Sequence, residues 1–237
     1  KVKEWLQGRP NVESIVGEVN NILTEGFMKH PINKLNVHLK LESLLKSQPV
    51  VDHRQTKARI LVWQAKGMCA IYSPVFKMAK DRLKSLLNTK TVYADGLRPD
   101  QLALRVTQAD PANYIMENDL EQQDRQTDDK LLDVEMAIYH MLGVQEELLS
   151  LWRQCHNNWN FKGRSCRGER NWMRLTGQAT TALGNAITNL CVHWRLCSKL
   201  GNDWKLFVLL GDDGALLTNR TLSNKEVKTH GKLLYNM

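Results

Sequence analysis

Two adjacent carboxylates, Asp212 and Asp213, stand between glycines in the run Gly211-Asp212-Asp213-Gly214, after the apolar stretch 206–210 and before Ala215-Leu216-Leu217. This pattern predicts two buried strands joined by a tight turn. One Asp or Asn with a Gly satisfies such a turn, whereas neighbouring carboxylates repel each other and settle only near a cation. The chemistry suggested is a divalent metal at a hairpin tip; the bland alternative is an ordinary Asp-Gly hairpin with Asp212 as a bystander. Two more carboxylates lack a folding role. Asp119 ends the strand-like stretch 114–119, and Asp124 follows five positions later. By contrast, Asp128 and Asp129 open a helix whose apolar face is Leu131, Val134, Ile138 and Leu142, where the helix dipole favours negative charge.

Polar residues suited to a ligand recur between these carboxylates. Thr181, Asn185 and Asn189 follow at four-residue spacing and share one helical face. A merely solvated face would use better helix formers than Asn and Thr. Thr176-Gly177 precedes them, and Gly177 suits a loop that bends before the helix, because glycine reaches backbone angles other residues avoid. Upstream, Arg153, Lys162, Arg164, Arg167, Arg170 and Arg174 alternate with Trp159, Phe161 and Trp172. Cations for phosphates interleaved with aromatic faces for bases make a single-strand path, or else a solvated basic hairpin whose tryptophans belong to the core. A second basic cluster, His53, Arg54, Lys57 and Arg59, leads into the extended stretch 59–63 and offers phosphate-facing cations or a solvated loop.

The elements that must position these groups are legible in outline. Apolar residues at Ile15, Val16, Val19, Ile22, Leu23 and Phe27 predict an amphipathic helix from Val12, and 41–45 a second short one. Ser73-Pro74 reads as a helix start, with Phe76, Ala79, Leu83, Leu86 and Leu87 buried and an end near Asn88. The region through Gly96, Pro99 and Pro111 reads as a linker between two subdomains.

The 237 residues are 42% hydrophobic and 24% charged, which suits a globular chain of one or two subdomains. A net charge of +8 favours a polyanionic partner. Five cysteines without paired spacing argue against a disulfide framework, and Cys155-His156, Cys166, Cys191 with His193, and Cys197 match no common zinc spacing. They read as buried free thiols. No apolar run approaches the ~20 residues of a membrane span, and a start at Lys1 suggests a segment of something longer.

Asp119 with Asp124, then Thr176-Gly177 with Thr181 and Asn185, then Gly211-Asp212-Asp213 resemble, in that order, motifs A, B and C of viral RNA-dependent RNA polymerases. Lys57-Ala58-Arg59-Ile60 is similar to their motif F. The resemblance is strongest to the alphavirus-like supergroup of positive-strand RNA viruses, including virga-like and endornavirus-like replicases, and covers the chain from about Arg54 onward. A lone Gly-Asp-Asp is common; the motif B pattern in register between the carboxylates makes the joint signal specific.

The resemblance implies an α+β fold, a right-hand polymerase palm with part of the fingers and no thumb in this chain. Residues 1–105 would be fingers-like with motif F, and 106–237 the palm, with 131–170 partly fingers. Asp119, Asp212 and Asp213 would be catalytic and hold two Mg2+ ions, with Mn2+ as a substitute. Lys57 and Arg59 would meet the triphosphate, and Asp124, Thr181 and Asn185, with Thr176 and Gly177, the ribose of the incoming nucleotide. Lys162, Arg164, Arg167, Arg170 and Arg174 would bind RNA. Partners implied are template and product RNA, ribonucleoside triphosphates and other domains of the same replicase polyprotein, at membrane-associated replication sites in the host cytoplasm. The resemblance also implies a lysine after the hairpin that acts as general acid toward pyrophosphate, either one of Lys225, Lys228 and Lys232 or a residue past Met237, and the chain by itself would be an incomplete enzyme. The competing readings are a reverse transcriptase, which the Thr181/Asn185 stripe opposes, and a non-catalytic basic RNA-binding fragment from a decayed viral insert, which the intact carboxylates oppose.

Overall fold

In a computed structural model, residues 2–26, 29–39, 60–118, 123–163 and 167–235 are described. The fold is α+β, with two four-stranded sheets surrounded by helices.

The first sheet has the order β2-β1-β5-β6, where β1 is Lys34–Leu39, β2 Ile60–Gln64, β5 Trp159–Lys162 and β6 Arg167–Arg170. The second has the order β3-β7-β8-β4, with β3 Thr91–Tyr93, β4 Tyr114–Asn118, β7 Trp204–Leu210 and β8 Asp213–Thr218. In β7 and β8 the apolar runs supply both the strands and the core, since Leu206, Phe207, Leu209 and Leu216 are all buried. Each sheet draws strands from both sides of residue 105, so the sequential division expected there is not a boundary of either sheet.

Helix α1 is Val2–Leu6, and α2, Val12–Glu25, forms where the 3.6-residue period predicts it. Its buried face is narrower than the full stripe: Ile15 and Ile22 are covered while Leu23 is 73% exposed. Helix α3 runs from Lys66 to Leu86, so Ser73-Pro74 lies inside it and does not start it. The proline forfeits one helical hydrogen bond, and packing overrides that loss: Met68, Ala70 and Tyr72 before it and Phe76 and Ala79 after it are all buried. The supposed linker is likewise structured. Thr91–Tyr93 joins the second sheet beside β7, and Pro99–Thr107 forms α4 with its proline in the first turn.

Helix α5 is Gln123–Gln126 and α6 Asp129–Met141, started as expected by Asp128, whose carboxylate accepts the Leu131 N–H at 2.8 Å. Helix α7 is Glu146–Asn157, α8 Thr181–Leu200 and α9 Asn224–Tyr235. The core lies where α3, α6, α7 and α8 meet: Trp152 stands 4.5 Å from Tyr72 and 4.9 Å from Phe76 between ring centroids, and Leu183 and Ile187 are buried. Trp159, expected among the base-stacking aromatics, belongs to this core, with no exposure and its indole N–H donated to the Met173 carbonyl at 2.8 Å.

Cys69, Cys155, Cys191 and Cys197 are free thiols. Burial pushes the thiols of Cys155 and Cys197 up to about 12 and about 11, so both are protonated at neutral pH. Among the described residues, no helix is long and apolar enough to cross a membrane.

Candidate active site

Strands β7 and β8 are joined by a two-residue turn, Gly211-Asp212, closed by the pair Leu210 and Asp213. Gly211 has φ 65° and Asp212 is not in the left-handed region, which is the II′ hairpin pattern with glycine at its first central position. A Cβ on Gly211 would meet nothing, so backbone angle and not space demands the glycine. The carboxylates therefore fall on either side of the turn's end, with Asp212 half-buried at its tip and Asp213 exposed as the first residue of β8.

Helix α8 lies against this turn and meets it through its polar stripe. The Asn189 side-chain amide, wholly buried, donates to the carbonyl oxygens of Gly211, Asp212 and Asp213 at 3.2, 3.1 and 3.1 Å. One turn earlier, the Asn185 amide donates to the Asp124 carboxylate at 3.0 Å. The Oδ1 atoms of both asparagines are buried without a partner among the described residues. One turn after Asn189, His193 donates Nδ1–H to the Asn189 carbonyl at 2.9 Å, which leaves Nε2 to accept from the Asn118 amide at 2.5 Å. Burial pushes His193 down to about 4, with the neighbouring His230 adding to the effect, so the ring is neutral at pH 7. Asn118 is the last described residue of β4 and pairs with Gly214 across the sheet.

Thr181 takes a different part from the one expected. Its hydroxyl donates to the Leu175 carbonyl at 2.5 Å and accepts the Gln178 N–H at 3.2 Å, closing the loop that leads into α8. Thr176 and Gly177 are exposed on that loop. Gly177 does not adopt a left-handed angle; its N–H donates to the Val62 carbonyl at 3.2 Å, and a Cβ there would sit 3.0 Å from that of Trp63. Close approach to β2, not backbone freedom, is what glycine provides at this position.

Asp124 is half-buried beside the turn. Its carboxyl lies above the usual carboxylate range, mainly through burial and also through the charge of Asp212, while the Asn185 hydrogen bond and Arg174 pull it back. Carboxylate oxygens such as those of Asp124, Asp212 and Asp213 are the donor chemistry that hard cations such as Mg2+ or Mn2+ take. Among the described residues no group of three His, Cys, Asp or Glu is close enough to hold an ion. Asp119 lies outside the described residues.

Arg174 was expected on the RNA path, and the structure corrects this. It is 2% exposed, and its guanidinium pairs with the buried Glu135 carboxylate, which also accepts the Tyr139 hydroxyl at 3.0 Å. Burial works against the charge, yet Glu135 holds Arg174 above its ordinary value. The Arg174 backbone N–H donates to the Asp124 carbonyl at 3.0 Å, so this buried pair underlies the Asp124 segment. Two sequence signals point to it: a charged Glu135 inside the buried stripe of Leu131 and Tyr139, and a Gly184 in mid-helix, where a small residue marks a close neighbour.

Lys162 and Arg167 do lie on the surface, directly opposite each other on β5 and β6, and neither has a carboxylate partner among the described residues. Like charges facing across a ladder are unfavourable unless a polyanion intervenes. Arg170 is exposed on the same edge strand, within 3.5 Å of the Arg125 carbonyl. Arg153 has a local partner, pairing with Asp133 at 2.6 Å and lying 5.0 Å from the Trp172 ring centroid. Lys57, Arg59 and Arg164 lie outside the described residues.

The family described as RNA dependent RNA polymerase matches residues 7–235. The replicase large subunit of Youcai mosaic virus is 23% identical over 208 residues, 81% of this chain and 13% of that protein. That of Sunn-hemp mosaic virus is 25% identical over 190 residues, 74% of this chain and 11% of that protein. The RNA-directed RNA polymerase 2a of Tobacco streak virus is 26% identical over 159 residues, 66% of this chain and 20% of that protein. The chain thus spans only a small part of the relatives it matches.

Proposed function

The chain belongs to the viral RNA-dependent RNA polymerases of the alphavirus-like supergroup, and on that premise we propose that it carries the nucleotidyl-transfer site for RNA-templated RNA synthesis. The observation that carries the reading is the convergence on α8 of two separate acidic segments: Asn185 bonds Asp124 while Asn189, one turn on, bonds the Gly211–Asp213 turn. In this reading the β3-β7-β8-β4 sheet is the palm, and the β2-β1-β5-β6 sheet belongs to the fingers.

Asp212 and Asp213, with Asp119, would hold divalent cations. Those ions would supply activation of the RNA 3′-hydroxyl and stabilisation of the leaving pyrophosphate. The protein's own part is to fix the carboxylates and select the sugar. Asp124 and Asn185 form a bonded acceptor-donor pair, with the Asn185 Oδ1 left over as a buried acceptor for a hydroxyl. A site built to bond a hydroxyl leaves its own polar groups unsatisfied when a deoxynucleotide enters, a strong basis for rejection. Lys57 and Arg59 would neutralise the triphosphate, and Lys162, Arg164, Arg167 and Arg170 would track RNA. Other domains of a replicase polyprotein, at membrane-associated sites in the host cytoplasm, complete the proposal.

The test is incorporation of ribonucleotides on an RNA template by this chain within the longest replicase product that contains it. Asp212→Asn should abolish addition with the fold intact, since removal of a like charge from an acidic cluster seldom destabilises it. Near-normal synthesis by Asp212→Asn would refute the assignment, and a preference for deoxyribonucleotides would turn it into a reverse transcriptase.

A further inference from the structure

The buried amide of Asn189 is placed where neither sugar selection nor the carboxylates account for it. It is wholly buried, and its donors go to three successive main-chain carbonyls at 3.1 to 3.2 Å, those of Gly211, Asp212 and Asp213. Two N–H groups shared among three acceptors hold all three peptide planes at once. None of those planes can rotate without costing a buried hydrogen bond. The carboxylates of Asp212 and Asp213 project from these same planes.

The tie continues along the helix. The carbonyl of Asn189 accepts from His193, whose other nitrogen meets the Asn118 side chain at the end of β4. Asn118 in turn pairs with Gly214. A Cβ on Gly214 would lie 3.3 Å from Asn189 Oδ1 and 3.2 Å from Phe207, so the hairpin packs tightly against α8 at this glycine. The Phe207 ring stacks on His193 at 4.5 Å between centroids.

We propose that Asn189, braced by His193, is the positioning residue that presets the Gly211–Asp213 turn for divalent-cation binding, acting through main-chain carbonyls and touching neither ion nor nucleotide. The inference rests on the polymerase reading of Asp212. Supporting groups behind metal ligands typically contribute about 10- to 100-fold in metal affinity, and a change of that order is what this bracket should deliver.

The experiment titrates the protein with Mn2+ and follows free Mn2+ by electron paramagnetic resonance, alongside thermal melting, for wild type, Asp212→Asn, Asn189→Leu and Asn189→Ser. Asn189→Leu keeps the branched shape, with bulkier methyl groups, and removes the donors; Asn189→Ser keeps one short donor and leaves room for water, and decides the matter if the leucine variant fails to fold. Folded Asn189 variants should bind Mn2+ about tenfold or more weakly than wild type. Wild-type Mn2+ affinity in a folded Asn189→Ser or Asn189→Leu protein, with only the melting temperature lowered, would overturn the proposal and leave Asn189 as a packing residue. Failure of the underlying reading looks different: Asp212→Asn itself would then bind Mn2+ as wild type does.

Discussion

Gly184 is the most exacting position in α8, and Gly184→Ala the sharpest test of how that helix is seated. In an exposed helix interior the change would stabilise by about 0.5–1 kcal/mol, because alanine loses less backbone freedom. Here a Cβ would stand 2.5 Å from the Arg174 guanidinium carbon and 2.6 Å from a Glu135 carboxylate oxygen. A guanidinium can ordinarily swing aside, but Arg174 and Glu135 side chains are 1% and 0% exposed, and no solvent is available to receive either charge. The methyl group must therefore part the ion pair or lift α8 off α6. Parting a buried pair costs about 3–5 kcal/mol, since it leaves uncompensated charge in the interior. After the helical gain, the net loss is about 2–4 kcal/mol, a fall in melting temperature of roughly 5–15 °C for a chain of this size.

The control is the same substitution in a background where the pair is gone. In Glu135→Leu/Arg174→Met/Tyr139→Phe, which retires both charges and the hydroxyl bonded to them, Gly184→Ala should be neutral or stabilising. Urea unfolding of the four proteins supplies the comparison. An equal loss in both backgrounds would refute the reasoning, and would mean that the glycine serves backbone geometry and not the Arg174–Glu135 pair.

Three further outcomes follow from the same geometry. His156 is buried, bonded to the Trp152 carbonyl and the Gln178 amide, and pushed down to about 4 by burial; the unfolded chain, with an ordinary value of about 6.5, binds the extra proton first. Stability should accordingly be full above about pH 6.5 and fall by a few kcal/mol as pH drops towards 4, a limb that His193 shares and that His156→Gln should therefore roughly halve in pH-dependent urea unfolding. Lys162→Ala with Arg167→Ala should weaken RNA binding at every sequence and reduce the slope of log affinity against log salt by about 1 to 2, measured by fluorescence anisotropy; an unchanged slope would remove these cations from the RNA path. Asn185→Ala should weaken discrimination against deoxyribonucleotides more than it slows ribonucleotide addition, and equal losses for both sugars would make Asn185 scaffold.

What could be read from the sequence was periodic or chemically costly. The apolar runs around Gly211-Asp212 and the four-residue stripe of Thr181, Asn185 and Asn189 translate directly into a hairpin and a helix face, because each depends on local pattern. Residues whose role is set by distant packing escaped. Arg174 looks like its neighbours Arg167 and Arg170, and only the fold brings it to Glu135, 39 positions away. Ser73-Pro74 carries a strong local start signal, overruled by the burial of Met68, Ala70 and Tyr72 ahead of it. Thr91–Tyr93 sits in a stretch punctuated like a linker and becomes a strand only because β7 lies beside it, more than a hundred residues later.

The polar stripe of α8 acts through its pitch. Each step of four residues advances about 6 Å along the axis and turns about 40° around it, so four residues at this spacing span ~18 Å and ~120°. Thr181 holds the entry loop, Asn185 Asp124, Asn189 the carboxylate turn, and His193 the end of β4. The contacts of Asn185, Asn189 and His193 reach elements remote in sequence from the helix, so α8 is the part that spaces Asp124 relative to the sheet carrying the turn and β4. Their faces drift with the stripe, which explains why Thr181 turns towards its own loop while Asn185 and Asn189 face the acidic residues. Cutting one residue from α8 between Asn185 and Asn189 would rotate everything after it by ~100°, leaving Asp124 bonded and the Gly211–Asp213 turn without its donors. Substitutions at single stripe positions, by contrast, release one contact and leave the other three in place, so their effects should separate into loop order, sugar choice and cation affinity and not collapse into a common loss of fold.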